Sequence, residues 1–138
     1  MTRDRLEGGC LCGALRYRIE GERVDAGWCH CRLCQKASGA PVVPWGTWPA
    51  EAFAWTKGRP AVYRSSARGL RSFCPACGTP LVFRHGEDHP LLDVTLASLD
   101  APAAVRPEYH TWTASQVPWV RLEDGLPRYP DDGPDSKP

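Results

Sequence analysis

Seven cysteines stand in three tight groups: Cys10-Leu-Cys12-Gly, Cys29-His-Cys31-Arg-Leu-Cys34 and Cys74-Pro-Ala-Cys77-Gly. Thiolates one or two residues apart converge on a common centre, as a tetrahedral metal requires. They rarely bond to each other, because a disulfide demands a particular Cα separation and orientation. The odd count also excludes a complete internal set of disulfides. Metal binding is the chemistry these residues suit, and zinc is the first metal expected.

Cys74-Pro-Ala-Cys77 followed by Gly78 reads as a knuckle. Backbone N–H groups of such a turn can hydrogen-bond the thiolates, and Gly78 permits the left-handed conformation this needs. A knuckle supplies two ligands and a closed site needs four. Cys10 and Cys12, with Gly13 in a part like that of Gly78, supply the other two most simply. A site of Cys10, Cys12, Cys74 and Cys77 would tie the N-terminus to a distant hairpin, which suits a structural role. A thioredoxin-like redox pair at Cys74 and Cys77 is disfavoured, since Gly78-Thr79-Pro80 prevents the helix that reading wants.

Cys29, Cys31 and Cys34 can occupy three corners of a second tetrahedron. Nothing nearby is an obvious fourth ligand. Either the fourth position stays open, the mark of a reactive site, or it is filled from afar by His85, His89 or His110. His30 lies between two ligands and is expected to point away, behind the ligands or into the pocket, and either His30 or His110 is expected to carry the proton. A three-thiolate zinc is a weak Lewis acid and a soft one, suited to a fourth sulfur. A substrate thiol held there would deprotonate at neutral pH, and thiolate is the nucleophilic form.

The elements that position these residues follow from periodicity. Leu15 to Glu20 alternates apolar and charged residues, as a half-buried strand does. Gly21-Glu22 reads as a turn, and Val24 to Trp28 as a strand delivering Cys29. Arg32 to Ser38 reads as one or two helical turns stopped by Gly39. Pro41 to Pro49 carries three prolines and reads as an edge strand or extended loop. Phe53-Ala54-Trp55 and Ala61 to Arg64 read as strands about a turn at 57–60. Arg71-Ser72-Phe73 and Leu81-Val82-Phe83 form a hairpin with the third cysteine group at its tip. Leu91 to Leu99 is the best candidate for a central strand, and Val105 to Trp112 for a last one.

Composition agrees with this. The chain has 138 residues, 42% of them hydrophobic and 24% charged, which fits one domain with a modest core. Fourteen prolines and thirteen glycines leave little room for long helices, so the expectation is all-β. Six tryptophans enlarge a small core, with Trp45 and Trp48 also candidates for walling a pocket. A net charge of +1 gives no electrostatic case for nucleic acid or membrane. No apolar run reaches membrane-spanning length, and Met1 to Arg5 lacks the apolar stretch of a signal peptide, so a reducing cytoplasm is expected. A single domain is expected over residues 1–129, with a disordered tail over 130–138.

Three blocks carry a resemblance: Gly9 to Tyr17, Cys29 to Pro41, and Arg71 to Leu81, in that order. Together they resemble the glutathione-dependent formaldehyde-activating enzyme family, also called the centromere protein V/formaldehyde-activating domain. Gly58, Tyr63, Val94 to Asp100, Pro107, His110 and Trp119 fit the same pattern. The resemblance implies a β-tent fold and two zincs per chain: a structural one on Cys10, Cys12, Cys74 and Cys77, and a catalytic one on Cys29, Cys31 and Cys34. It also implies a carbon–sulfur lyase, whose reverse reaction condenses glutathione with formaldehyde to S-(hydroxymethyl)glutathione. Arg32, Lys36 and Arg68 are the candidates for meeting the carboxylates of glutathione. The competing expectation is a non-catalytic protein-interaction module with two structural zincs. A third is a rubredoxin-like iron centre, disfavoured because Cys10-Leu-Cys12 is not a second C-x-x-C knuckle.

Overall fold

The computed structural model describes residues 2–133 and is mostly β, with one short α-helix. Its ten strands are β1 (Thr2–Gly9), β2 (Arg16–Arg23), β3 (Asp25–Cys29), β4 (Val43–Pro49), β5 (Phe53–Lys57), β6 (Ala61–Arg64), β7 (Gly69–Phe73), β8 (Pro80–His85), β9 (Leu91–Thr95) and β10 (His110–Thr111); helix α1 spans Arg32–Ser38. They form a three-stranded sheet, β1-β2-β5, and a seven-stranded sheet, β10-β3-β4-β9-β8-β7-β6.

The core lies between the two sheets. Tyr17 and Ile19 of β2 are wholly buried against Trp48 of β4, Leu81 of β8 and Val94 of β9. Alternation then sends the next residues of the large sheet to its other face. Gly46 and Trp48 turn inward, Trp45 and Thr47 outward; Leu92 and Val94 turn inward, Leu91 and Asp93 outward. One row crosses that outer face in register: Thr47, Asp93, Phe83 and Arg71.

Several local expectations hold. The helix starts and stops where the sequence put it, and Gly39 caps it with φ 76°. β7 and β8 make the expected hairpin, and β9 is the central strand of the large sheet, although it yields to a 3-10 turn at Leu96–Ser98. Others are corrected. Gly21 is not a turn: β2 runs on to Arg23, and Gly21 is small because a Cβ there would sit 2.7 Å from Ala52 Cβ. Pro41–Pro49 is not an edge. β4 lies between β3 and β9, and Pro44 is tolerated because the β9 ladder begins only at Trp45. The strands about 57–60 belong to different sheets. Val105–Trp112 shrinks to His110–Thr111, which runs parallel to β3.

β1 had no counterpart in the sequence reading. Its buried positions include Asp4 and Gly8, which give no apolar period. Of the tail expected to be disordered, residues 130–133 are described: the carbonyls of Pro130 and Asp131 accept from Ala114 and Trp112, and Gly133 is buried. Residues 134–138 lie outside the described residues.

Candidate metal centres and the cavity beside them

Cys10 and Cys12 follow β1, and Cys74 and Cys77 cap the β7–β8 hairpin. Their four sulfurs lie within 4.8 Å of one another. Cys10 to Cys12 is 3.7 Å and Cys12 to Cys74 is 3.8 Å. A tetrahedral metal with sulfur bonds of ~2.3 Å sets neighbouring sulfurs about 3.8 Å apart, so the group fits zinc. All seven cysteines are free. The turns supply the donors that thiolates need. Leu15 N–H donates to Cys10, and the N–H groups of Ala76 and Cys77 donate to Cys74. Gly13 and Gly78 take φ of 81° and 83°. The Thr79 hydroxyl accepts from Leu11 N–H and lies 3.2 Å from Cys77 Sγ, where it can donate to a thiolate. That bond, with one from the Thr79 backbone, lowers the Cys77 thiol to about 5. This centre joins the first strand of the small sheet to a hairpin of the large one.

Cys29 ends β3, Cys31 caps α1, and Cys34 sits on its first turn. Their sulfurs also lie within 4.8 Å of one another. Cys31 Sγ accepts from Cys34 N–H at 3.2 Å, so a thiolate serves as the helix cap. Hydrogen bonds from the Cys29 and Cys34 thiols drive the Cys31 thiol far below its ordinary value and drive Cys29 up in return. Without a cation the trio therefore holds one thiolate well and three badly. With a cation it could hold all three. Among the described residues no histidine or carboxylate joins the trio at ligand spacing. His85 and His89 line the neighbouring cavity, while His110 is engaged elsewhere.

Arg71, read only as part of a strand in the sequence, is the nearest cation. Its Nη1 and Nη2 lie 3.8 and 3.7 Å from Cys34 Sγ, and its Nε donates to Ser65 Oγ at 2.9 Å. Thirty-seven residues separate it from Cys34, so no local pattern could have marked it.

Behind the trio, His30 is wholly buried. It is not among the residues that line the cavity. Its Nε2 lies 2.9 Å from His110 Nδ1, and His110 Nε2 lies 2.8 Å from Asp124 Oδ2. A carboxylate accepts, so His110 carries its proton on Nε2 and leaves Nδ1 to accept from His30 Nε2. His30 Nδ1 is left buried without a partner in this arrangement. Burial lowers the His30 pKa to about 4, and the neighbouring His110 adds to the effect. Gln35, also buried, donates to the carbonyls of His30, Pro41 and Ser115 and so clamps the cysteine loop to the helix and to the C-terminal region.

A cavity of about 540 Å³ opens over the outer face of the large sheet, with Cys29, Cys31 and Cys34 at one side. This is the size of a small-ligand site. Trp45, Phe83, Tyr109 and Trp112 supply aromatic wall, and Leu33 and Leu91 supply aliphatic wall. Trp48 is core instead. Gly27 makes room for the Tyr109 ring, which a Cβ there would meet at 2.3 Å. Trp112 holds φ 55°, a left-handed conformation unusual for a bulky residue and found where a site constrains the backbone. Of the three cations expected to meet carboxylates, Arg32 lines the cavity; Lys36 and Arg68 are exposed and do not.

A family model described as glutathione-dependent formaldehyde-activating enzyme matches residues 5–115. A crystal structure of a Rhodobacter sphaeroides protein has the same fold, with TM-score 0.57 at 19% identity over 90% of this chain and 99% of that one. No curated protein matches the chain. No helix among the described residues is long and apolar enough to cross a membrane.

Proposed function

The chain belongs to the glutathione-dependent formaldehyde-activating enzyme family, and from that premise we propose that it is a zinc-dependent carbon–sulfur lyase acting on a thiol–aldehyde adduct such as S-(hydroxymethyl)glutathione. The observation that carries this reading is the trio Cys29, Cys31 and Cys34 at the side of a ligand-sized cavity, with no fourth ligand among the described residues. The four-cysteine group would hold a structural zinc and the trio a second, more labile one.

A zinc ion on the trio would supply a soft, open coordination position that favours a sulfur ligand as thiolate. The protein's own residues do the rest. Arg71 sets a positive charge beside Cys34 and offsets the negative charge that three thiolates concentrate there. Cys31 caps α1, so the helix holds its sulfur in place. Gln35 and the His110–His30 pair fix the loop from behind. His30, with its pKa lowered to about 4 by burial, stays neutral near pH 7, so its part is to hold the cysteine loop through its bond to His110.

The competing reading, a non-catalytic module with two structural zincs, wants a fourth protein ligand on the trio, and none stands at that spacing among the described residues. Free thiols at all seven cysteines support a reducing compartment such as the cytoplasm. The test is the rate of adduct formation from glutathione and formaldehyde, followed by NMR against the uncatalysed rate. Acceleration that requires zinc and disappears in Cys31→Ser supports the lyase. A rate equal to the uncatalysed one with both zincs bound rejects glutathione with formaldehyde as the substrate pair.

A further inference from the structure

The outer face of the large sheet carries a continuous aromatic wall that leads to the cysteine trio. Trp45 meets the Phe83 ring edge-on at 6.4 Å, and Phe83 meets His85 perpendicular at 4.8 Å. The guanidinium of Arg71, the same one that reaches Cys34, stacks 4.8 Å over Phe83. The wall therefore ends where the sulfurs begin.

Several of the charges around this wall bond to groups within the protein. Arg84 turns Nε and Nη2 onto the carbonyl of His89. Arg71 is held between Ser65 and Cys34. Asp93 accepts from the Thr47 hydroxyl at 2.6 Å, and Arg32 donates to Gln35. A tripeptide thiol such as glutathione brings two carboxylates and an ammonium, and each needs a partner once it leaves water. An aromatic ring needs none. It gains its buried area and edge-to-face contacts with Trp45 and Phe83 instead.

We infer that the cavity takes a ligand built on an aromatic ring, with Trp45 and Phe83 as the residues that select it. The placement of the reacting sulfur rests on the thiol–aldehyde reading above; the ring site does not. In the reaction, the thiol adds across the aldehyde carbonyl. One carbon–sulfur bond forms, the carbonyl π bond opens, and the thiol proton ends on the new hydroxyl oxygen, so no oxidant or reductant is needed. The ring enters on either partner, as an arylmethanethiol or as an aryl aldehyde.

Two measurements on the full-length, zinc-loaded protein test this. The first titrates 2-naphthylmethanol, which has neither thiol nor aldehyde, by ligand-observed NMR. Saturable binding is expected, weakened about tenfold or more in both Trp45→Leu and Phe83→Leu, with zinc content unchanged in each. The second compares adduct formation from phenylmethanethiol with formaldehyde, glutathione with benzaldehyde, and glutathione with formaldehyde. One aromatic pair is expected to exceed the last, and which one does so identifies the partner that carries the ring. Absent naphthylmethanol binding, binding untouched by both substitutions in folded protein, or preference for glutathione with formaldehyde overturns the inference. Ring binding with the expected losses, but no acceleration of any pair, leaves the ring site standing and rejects the lyase.

Discussion

The indole nitrogen of Trp48 donates to Asp4 Oδ2 at 2.9 Å, and the Arg23 guanidinium reaches the same oxygen at 3.0 Å. Trp48 is wholly buried and Asp4 is 8% exposed, so the carboxylate sits between the two sheets with both its partners. Asp4→Ala leaves an indole N–H and a nearly buried guanidinium without a carboxylate. The expected cost is about 3 kcal/mol, read as a lower urea midpoint with an unchanged m-value. Asp4→Asn keeps an acceptor for Trp48 and should cost less.

The two cysteine groups should separate fold from reactivity. Cys77→Ser removes one of four ligands from the centre that joins the sheets and should cost about 3 kcal/mol or more, near 10 °C in Tm. Cys31→Ser touches only the trio and should leave Tm close to that of the parent while removing one zinc. Equal melting temperatures with equal zinc loss would mean that the roles have been divided wrongly.

Chelator should strip the metals in order. The trio, with three protein ligands beside a cavity, should release zinc quickly and with little change in far-ultraviolet circular dichroism. The four-cysteine centre should release it slowly and together with unfolding. Elemental analysis along the time course checks both phases; a single phase coincident with unfolding would refute the order.

Gly58 holds φ 75°, and a Cβ there would lie 2.2 Å from the carbonyl oxygen of Ala14. Backbone cannot yield as a side chain can. Gly58→Ala should therefore cost about 2 kcal/mol or more and push the segment after Cys12 outward. The measurable result is a lower Tm together with faster zinc loss from the four-cysteine centre, while the trio keeps its metal.

Short-range features were legible in the sequence because their causes are short-range. Cysteine spacing sets sulfur convergence, and good helix formers followed by glycine set α1. β1 was illegible because its inward face offers Asp4 and Gly8, with Leu6 only partly buried, where an apolar period is sought. Prolines at 44 and 49 suggested an edge, yet one lies beyond the reach of β9 and the other closes the strand. His30 follows a general rule of alternation away from its neighbours, but the partner that receives it is eighty residues on. Arg71 could not be found at all. Its meaning arises only when the fold brings its guanidinium to Cys34, and a charged residue in a strand is ordinarily a solvated one.

The four-cysteine centre spans 62 residues between Cys12 and Cys74, whereas the trio is complete within six. A chain leaving the ribosome at about 5–20 residues per second presents Cys12 roughly 3–12 s before Cys74. During that interval the first pair waits half-made, while the trio is already able to gather its three thiolates. The centre that closes first in time is thus the one the fold needs least. The link the four cysteines make between the sheets forms only when the β7–β8 hairpin has been synthesised and brings the second pair of thiolates to the first.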